Sequence, residues 1–387
     1  MEWKEVTLGD FMQCNPKRTI KKGQKARKIT MDLLIPHSKT IRNWNYEPYS
    51  GGAKFQNGDT IMARITPCLE NGKHAFVSIL DKGEIAYGST EYFVFCGKEE
   101  VSDNDFVYYL TKTPLFRDTA IKSMVGSSGR QRAQMDVLEN LKMLVPKDIS
   151  DQRRIASILS SLDRKIELNN KINADLEEMA QAIFKNWFVD FEPFKDGKFV
   201  DSELGMIPEG WKVGSLGDFC NVFTGKKNTN QAIEKGLYPF FSCAPEPLAS
   251  NDAIFNGKAI IIAGNGSYTG RTSFYNGGFD LYQRTYACTI REQDKENLMI
   301  FFYHMMKQFF EPTKMGGTRG SSIPYIVMGD ITQQKFPYSK DWLIRFSNIA
   351  NSMMDRKLRI DKENSRLSLL RDTLLPRLMS GELEVPE

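Results

Sequence analysis

The chain has 387 residues, of which 41% are hydrophobic and 26% are charged, and its formal net charge is only +4. These values are typical of a folded soluble protein with two or three domains, and they exclude wholesale disorder and a uniformly basic coat. The longest aliphatic run, Ala259–Ala263, is far shorter than the ~20 residues of a membrane helix. The first residues lack the pattern of a signal peptide, so we expect a cytoplasmic protein.

Residues 1–150 predict a first domain of mixed helices and strands. Trp3 and Lys4 open a strand, and Gly58–Ile65 reads as a turn followed by an alternating strand. Glu91–Cys96 predicts a further strand and Phe106–Thr113 a helix. The first domain is therefore expected to belong to the α+β class.

A long amphipathic helix is expected next, within residues 151–192. One side chain in every seven falls on a single face, and one of these is a polar asparagine. This spacing is typical of a coiled-coil seam. The residues of the seam are Ile155, Leu162, Asn169, Leu176 and Ile183.

A linker and a second mixed domain are predicted over residues 193–340, followed by a second long helix over residues 341–387. Ala259–Ala263 is expected to be a buried strand and Glu296–Phe310 a helix. Pro376 is expected to kink or end the second long helix. The seam of that helix comprises Phe346, Met353, Ile360, Leu367 and Leu374.

The second half of the chain repeats the plan of the first half. The Trp-Lys pair and the Leu-Gly-Asp-Phe motif at residues 3–11 recur 208 residues later, and Leu162–Ile166 recurs as Met354–Leu358 after 192 residues. We therefore expect two similar domains related by a pseudo-twofold axis, as in duplicated-domain proteins. A single such helix would be expected to pack against its own domain, but two favour pairing as an antiparallel hairpin.

A candidate phosphate-binding surface lies between Lys17 and Arg42, where nine basic residues accompany one acidic residue. The alternative interpretation of such a run is a solvated charged loop. The candidate DNA contacts from this run and the next strand region are Lys21, Lys22, Arg27, Lys28, Arg64 and Lys73.

Gly/Ser-rich loops precede both long helices, at residues 126–132 and 316–322. An arginine guanidinium on such a loop can donate two parallel hydrogen bonds to a phosphate or a guanine base. Arg130, Arg132 and Arg319 are therefore candidate DNA contacts. The segment 264–271 is also rich in glycine, but it matches neither a P-loop nor the GxGxxG pattern. Three residues of this segment and one nearby arginine are candidate DNA contacts: Asn265, Tyr268, Arg271 and Arg284. The alternative interpretation of these residues is a hairpin turn.

Neither catalytic residues nor a metal site are predicted. The six cysteines are more than twenty residues apart, and the three histidines fit no HExxH spacing. GxSxG is absent as well, so the pattern does not favour hydrolase chemistry.

Several blocks of the sequence are similar to those of one known family. They are Asp151–Asn169, Phe184–Phe194, Leu204–Trp211 and Leu374–Leu383, together with Gly58–Lys73 in the first domain. Over nearly its full length the chain resembles the specificity (S) subunit of type I restriction–modification enzymes.

The resemblance implies two target recognition domains that each read half of a split, asymmetric sequence in double-stranded DNA. The paired helices would set the spacer and dock two methyltransferase subunits, which bind S-adenosylmethionine and methylate adenine. Two motor/endonuclease subunits, which use ATP and Mg, can join such a complex. The S subunit itself would be non-catalytic, in agreement with the lack of an Asn/Asp-Pro-Pro-Tyr/Phe motif.

Two other classes of function remain open from the residues alone. A helical scaffold that binds only proteins would explain the seams, but it would not explain the basic segment or the paired Gly/Ser loops. A self-contained DNA methyltransferase or nuclease would require motifs that this sequence lacks.

Overall fold

A computed structural model gives the structure of residues 1–310 and 324–385. It divides into two compact units, which we call the first unit (Met1–Lys171 with Ile360–Glu387) and the second unit (Ile172–Arg359). The unit boundaries fall inside the two long helices, whereas the sequence places domain boundaries at the helix ends. Each unit therefore contains one mixed domain of helices and strands, which we call its recognition domain after the expectation from the sequence, and a portion of both long helices.

Among its described residues the first unit contains ten strands, four short α-helices and a 3-10 turn at Met31–Leu33, followed by the start of the first long helix. The strands are β1 (Trp3–Thr7), β2 (Met12–Cys14), β3 (Lys25–Ile29), β4 (Asn45–Pro48), β5 (Lys54–Phe55), β6 (Thr60–Ala63), β7 (His74–Phe76), β8 (Ala86–Gly88), β9 (Tyr92–Gly97) and β10 (Lys142–Pro146). The helices are α1 (Leu8–Phe11), α2 (Asn104–Leu110), α3 (Pro114–Lys122), α4 (Met135–Glu139) and the long α5 (Ile149–Phe188).

The second unit continues from α5 and ends in the second long helix. Its strands are β11 (Phe199–Ser202), β12 (Gly205–Pro208), β13 (Lys212–Ser215), β14 (Cys220–Thr224), β15 (Tyr238–Phe241), β16 (Leu248–Ser250), β17 (Phe255–Ala263), β18 (Thr272–Leu281), β19 (Thr285–Ile290) and β20 (Lys335–Tyr338). Its helices are α6 (Leu216–Phe219), α7 (Met299–Phe310), α8 (Met328–Thr332) and α9 (Lys340–Met379).

The repeat seen in the sequence is also present in the strand topology. The first unit has sheets ordered β2-β9-β6-β7 and β4-β3-β8-β5, and the second unit has one sheet ordered β14-β19-β17-β18-β15-β16. The strand β18 pairs antiparallel with β17 and parallel with β15. In the first unit these two pairings are made by separate strands, since β7 pairs with β6 and β8 pairs with β3. The single strand β18 therefore occupies the positions of both β7 and β8. The two units are two versions of one sheet plan.

The repeated Trp-Lys and Leu-Gly-Asp-Phe motifs have a packing role. Each opening strand pairs with the strand that precedes a long helix, β1 with β10 and β13 with β20. A side chain at Gly9 would lie 3.3 Å from the Glu139 carbonyl oxygen, and one at Gly217 would lie 3.1 Å from that of Thr332. The glycine therefore lets the short helix pack closely against α4 or α8 in the respective unit.

Each unit has its own hydrophobic core. In the first unit the core joins α2 and β9 to the start of α5 and the end of α9, with Phe106, Ile155 and Leu375 buried together. In the second unit α7 forms the centre, and Phe301 lies buried against Phe184 of α5 and Phe346 of α9. The long helices are thus integral to both cores, and the expected α+β fold class is confirmed.

The predicted elements agree with the observed ones in type, with shifts at their ends. The helix expected over Glu296–Phe310 begins with a 3-10 turn at Gln293–Leu298, and α7 follows. The helix α9 continues through Pro376 to Met379, so this proline does not end the helix. Within the described residues, no helix is both long and apolar enough to cross a membrane.

Candidate nucleic-acid interface

The Gly/Ser loop of the first unit is joined to the turn that follows the central strand β6. The Ala133 amide donates to the Arg64 carbonyl over 2.8 Å, and the Thr66 amide donates to the Gln131 carbonyl over 3.0 Å. An antiparallel bridge between Ile65 and Arg132 lies between these two bonds. We call this backbone connection the first joint.

The second unit contains the same connection after its central strand β17. The Ile326 amide donates to the Gly264 carbonyl over 2.8 Å, and the Gly266 amide donates to the Pro324 carbonyl over 3.2 Å. Asn265 and Tyr325 form the bridge between them. This second joint is equivalent to the first joint, so both domains hold the same two segments together through their backbones.

Arginines of the first joint converge on one carboxylate. The Arg132 guanidinium lies 2.7 Å from the Glu91 carboxylate and the Arg64 guanidinium lies 3.1 Å from it. The hydrogen bond from Arg132, helped by Arg64 and opposed by burial, lowers the pKa of Glu91. Both guanidinium groups are held in position while about a third or more of each side chain stays exposed. Arg130 is exposed in the loop itself.

The second joint presents different side chains at the same place. The Arg271 guanidinium donates to the carbonyls of Ala244 and Pro245, to the latter over 2.7 Å. The Asn265 side-chain oxygen accepts a hydrogen bond from the Cys243 thiol at 3.0 Å. Tyr268 and Arg284 are exposed beside them. The structure thus brings together the four candidates predicted between residues 265 and 284.

The remaining predicted contacts lie elsewhere in the first unit, on or near β3 and β7. Lys21 and Lys22 are exposed before β3. Arg27 pairs with Asp81 at 2.9 Å, Lys28 pairs with Glu47 at 2.8 Å, and Lys73 donates to the Met31 carbonyl at 2.6 Å. The two partly exposed ion pairs are of a kind that contributes little to stability.

One predicted contact cannot be placed. Arg319 and its Gly/Ser loop at residues 316–322 lie outside the described residues. The contact roles of all these residues remain predictions.

A glycine of the second joint provides a local test. A methyl group at Gly264 would lie 2.4 Å from the Arg284 carbonyl oxygen and 2.6 Å from the Tyr286 ring. We expect Gly264→Ala to destabilise the second unit by about 1–3 kcal/mol because backbone and ring would have to move. Urea unfolding followed by circular dichroism measures this loss.

Gly329→Ala is the matched control, because Gly329 lies in α8 with open space around its Cα. Alanine there is expected to be neutral or slightly stabilising. Equal stability of the Gly264→Ala variant and the wild type would contradict the close packing of the second joint.

The two long helices pair antiparallel within each unit. In the first unit, the buried Asn169 side chain donates to Glu363 and Asn364, each over 2.9 Å. In the second unit, the rings of Phe184 and Phe346 lie 5.6 Å apart. The polar position predicted in the seam therefore hydrogen-bonds across the helix pair, as a residue that fixes helix register does.

The other predicted seam residues are buried to different degrees. Ile155, Phe346 and Ile360 are buried, and the rest are partly buried. The partly buried residues are Leu162, Leu176, Ile183, Met353, Leu367 and Leu374.

A carboxylate on α5 ties the recognition domain to the helix pair in the first unit. The Asp163 carboxylate accepts a hydrogen bond from the Tyr109 hydroxyl of α2 over 2.6 Å and another from the Arg371 guanidinium of α9 over 2.7 Å. Asp163 and Arg371 are both buried. We call this arrangement the first carboxylate clasp.

The second unit has an analogous clasp. The Glu177 carboxylate of α5 accepts three hydrogen bonds. The donors are the Tyr303 hydroxyl of α7 at 2.7 Å, the Lys307 ammonium at 2.8 Å and the Lys357 ammonium of α9 at 3.0 Å. Burial opposes ionisation, but the two lysines and the tyrosine outweigh it and lower the pKa of Glu177 to about 2. Both domains thus use a tyrosine of their own helix, a carboxylate of α5 and a cation of α9.

Sequence reasoning missed both clasps. Tyr109 and Tyr303 are 194 residues apart, close to the repeat offset of 192, so the repeat could have indicated them. The repeat would have predicted Asp355 as the partner of Tyr303, since Asp355 matches Asp163, yet the structure uses Glu177 instead.

Comparison with known proteins agrees with this geometry. The family described as "Type I restriction modification DNA specificity domain" matches residues 1–178 and 208–340. A type I restriction enzyme specificity subunit of Methanocaldococcus jannaschii, MjaIX, is 28% identical over 305 residues, which are 73% of this chain and 70% of that protein. The HindI specificity subunit of Haemophilus influenzae is 24% identical, with 99% of this chain and 100% of that protein covered.

A solved structure shows the same fold. The crystal structure of a type I restriction–modification S subunit from M. genitalium aligns with a TM-score of 0.55 at 16% identity, covering 98% of this chain and 96% of that one. With the family match over most of the sequence, the chain belongs to the type I restriction–modification DNA specificity family, whose members serve as specificity subunits.

Proposed function

We propose that this chain recognises a bipartite, asymmetric site in double-stranded DNA, with one recognition domain for each half-site. The observation that carries the proposal is the equivalence of the two joints. Both units hold a turn against the segment after the Gly/Ser loop by the same backbone bonds, yet one presents arginines around Glu91 and the other presents Asn265 and Tyr268. A constant frame with different side chains suits two different half-sites.

The chain is proposed to be the non-catalytic member of its complex. Two methyltransferase subunits would dock on it and supply S-adenosylmethionine and adenine methylation, and motor/endonuclease subunits with ATP and Mg can join. The relatives' names as restriction enzyme specificity subunits support this role.

DNA binding by the chain purified with its methyltransferase partner tests the proposal. Affinity should be highest for a duplex with two separated specified elements, and it should fall steeply as salt rises, because phosphate contacts release counterions. Binding without sequence preference, or without salt dependence, would refute the proposal.

Arg130 offers a residue-level test of the same proposal. If the exposed guanidinium reads a base, Arg130→Ala should weaken binding by about 1–3 kcal/mol and relax the preference in one half-site only. Base preference is measured with duplexes varied at each position. Lys142→Ala is the control, since Lys142 lies exposed on β10 in a surface pair with Glu5. An unchanged target after Arg130→Ala would show that Arg130 does not read a base.

A further inference from the structure

The outermost strands of the two domains, β4 and β16, occupy equivalent places. Each is an edge strand that runs antiparallel to its neighbour, β3 or β15, and that neighbour runs parallel to the next strand, β8 or β18. The strand register shows which residues of the two edges correspond. Lys28 of β3 lies opposite Asn45, and Phe240 of β15 lies opposite Leu248. Asn45 and Leu248 are therefore equivalent positions of the repeat.

In the first unit this edge exposes large aromatic and amide side chains. The segment Arg42–Tyr46 is exposed throughout, with Trp44 at 42% and Tyr46 at 64% of their accessible surface. Asn43 and Asn45 alternate with these rings. An ordinary solvated loop rarely exposes two aromatic residues of this size two positions apart, whereas interaction surfaces are enriched in them.

The segment is anchored on both sides of its exposed residues. The Glu167 carboxylate of α5 accepts hydrogen bonds from the Thr40 hydroxyl at 2.8 Å and from the Arg42 guanidinium at 2.9 Å. The Arg27 guanidinium lies 4.9 Å from the centre of the Trp44 ring. The backbone then enters the β3–β4 pairing. The backbone of the segment and the side chains of Arg42 and Trp44 are thus held in place before any partner binds, as an accurate recognition site requires.

The equivalent edge of the second unit has the same frame and different side chains. Residues Ala244–Leu248 are exposed, and Leu248 is 42% accessible. Arg271 holds this segment through the carbonyls of Ala244 and Pro245. Two prolines, a glutamate and a leucine therefore replace the amides and rings of the first unit.

Charge and shape favour duplex DNA as the partner of the edge in the first unit, and the equivalent edge of the second unit is assigned the same partner by the repeat. β3 pairs with β8 only at Lys28 and Ile29, so the β3–β4 pair beyond these residues is a two-stranded antiparallel ribbon, which the major groove of B-DNA admits. The β3–β4 ribbon carries exposed Lys21, Lys22 and Lys25 at one end, within the run of nine basic residues and one acidic residue. Asparagine side chains pair with adenine through two hydrogen bonds, and apolar side chains contact the thymine methyl group.

We propose that β4 and β16 present base-reading side chains in addition to those at the joints, an inference that rests on the proposed function. Asn45 hydrogen-bonds to a base edge in one half-site, and Leu248 makes an apolar base contact in the other.

The test uses the chain in complex with its methyltransferase partner and a set of duplexes in which each base of both half-sites is varied, at fixed salt. Asn45→Ala should weaken binding to the preferred duplex roughly 5- to 150-fold and relax one position of one half-site. Asn45→Asp should shift that position toward cytosine, since a carboxylate accepts from its amino group. Leu248→Ala should relax the other half-site only. Gln13→Ala is the matched control, an exposed amide on the edge strand β2 of the first unit.

The outcomes separate the inference from the proposed function. If the wild type selects a bipartite site and the Asn45 and Leu248 variants keep its base preferences, β4 and β16 do not read bases and the inference is wrong. The same conclusion follows if the variants lose affinity equally for every duplex, or lose only the methyltransferase partner. If the wild type itself shows no base preference, the proposed function fails and the inference fails with it.

Discussion

Replacing Arg371 by leucine is expected to lower the free energy of unfolding of the first unit by about 3–5 kcal/mol. The guanidinium lies 2.7 Å from the Asp163 carboxylate, and the two side chains are only 9% and 6% exposed. Without the arginine, the carboxylate stays buried beside the hydroxyl of Tyr109 and loses its cation. A buried charge without its partner is far more costly than the pair is stabilising.

Urea unfolding of the full chain followed by circular dichroism measures this effect. Arg377→Leu is the matched control on the same helix, because its pair with Glu382 is exposed and should contribute less than about 1 kcal/mol. The double variant Asp163→Leu/Arg371→Leu should recover most of the loss, since an apolar pair removes the stranded charge. A loss below 1 kcal/mol for Arg371→Leu alone would contradict the first carboxylate clasp.

The second carboxylate clasp predicts acid sensitivity of the second unit. The pKa of Glu177 is lowered to about 2 in the folded chain, from about 4.3 for an unperturbed glutamate. Because the folded pKa lies below the unfolded one, the clasp stabilises the unit fully above about pH 4.5. That stability, about 3 kcal/mol, is lost as the pH falls toward 2.

Glu177→Gln should remove most of this stability at pH 7 and flatten the dependence on acid between pH 4.5 and 2. Unfolding by urea across this pH range gives both quantities. Glu178→Gln is the control, because Glu178 is the exposed neighbour of Glu177 on α5. If Glu177→Gln kept the stability and the acid slope of the wild type, the lysines and the tyrosine would not act through Glu177.

The repeat made the architecture predictable from the sequence. The spaced recurrence of Trp-Lys, Leu-Gly-Asp-Phe and the helix seams predicted two α+β domains and two long helices, and the structure contains them. These features depend on local patterns, in which apolar periodicity and tight turns determine the element type. The burial of Asn169 between the helices followed from its place in a seven-residue repeat.

Contacts between residues far apart in the chain could not be predicted from the sequence. That β18 combines the roles of β7 and β8 depends on partners far along the chain. Glu91 gathers Arg64 and Arg132 from separate segments, and the basic residues alone gave no sign of this shared acidic partner. The sequence supplied the candidate cations, whereas the positions of their counter-charges required the fold.

We propose that the two domains read two halves of one DNA site. Sequencing of methylated adenines in cells with and without this chain, in the presence of its methyltransferase partner, tests it most directly. We predict methylation at a motif of two specified elements separated by an unspecified spacer, present only when the chain is present. Methylation that is independent of the chain, or confined to one continuous element, would contradict the account.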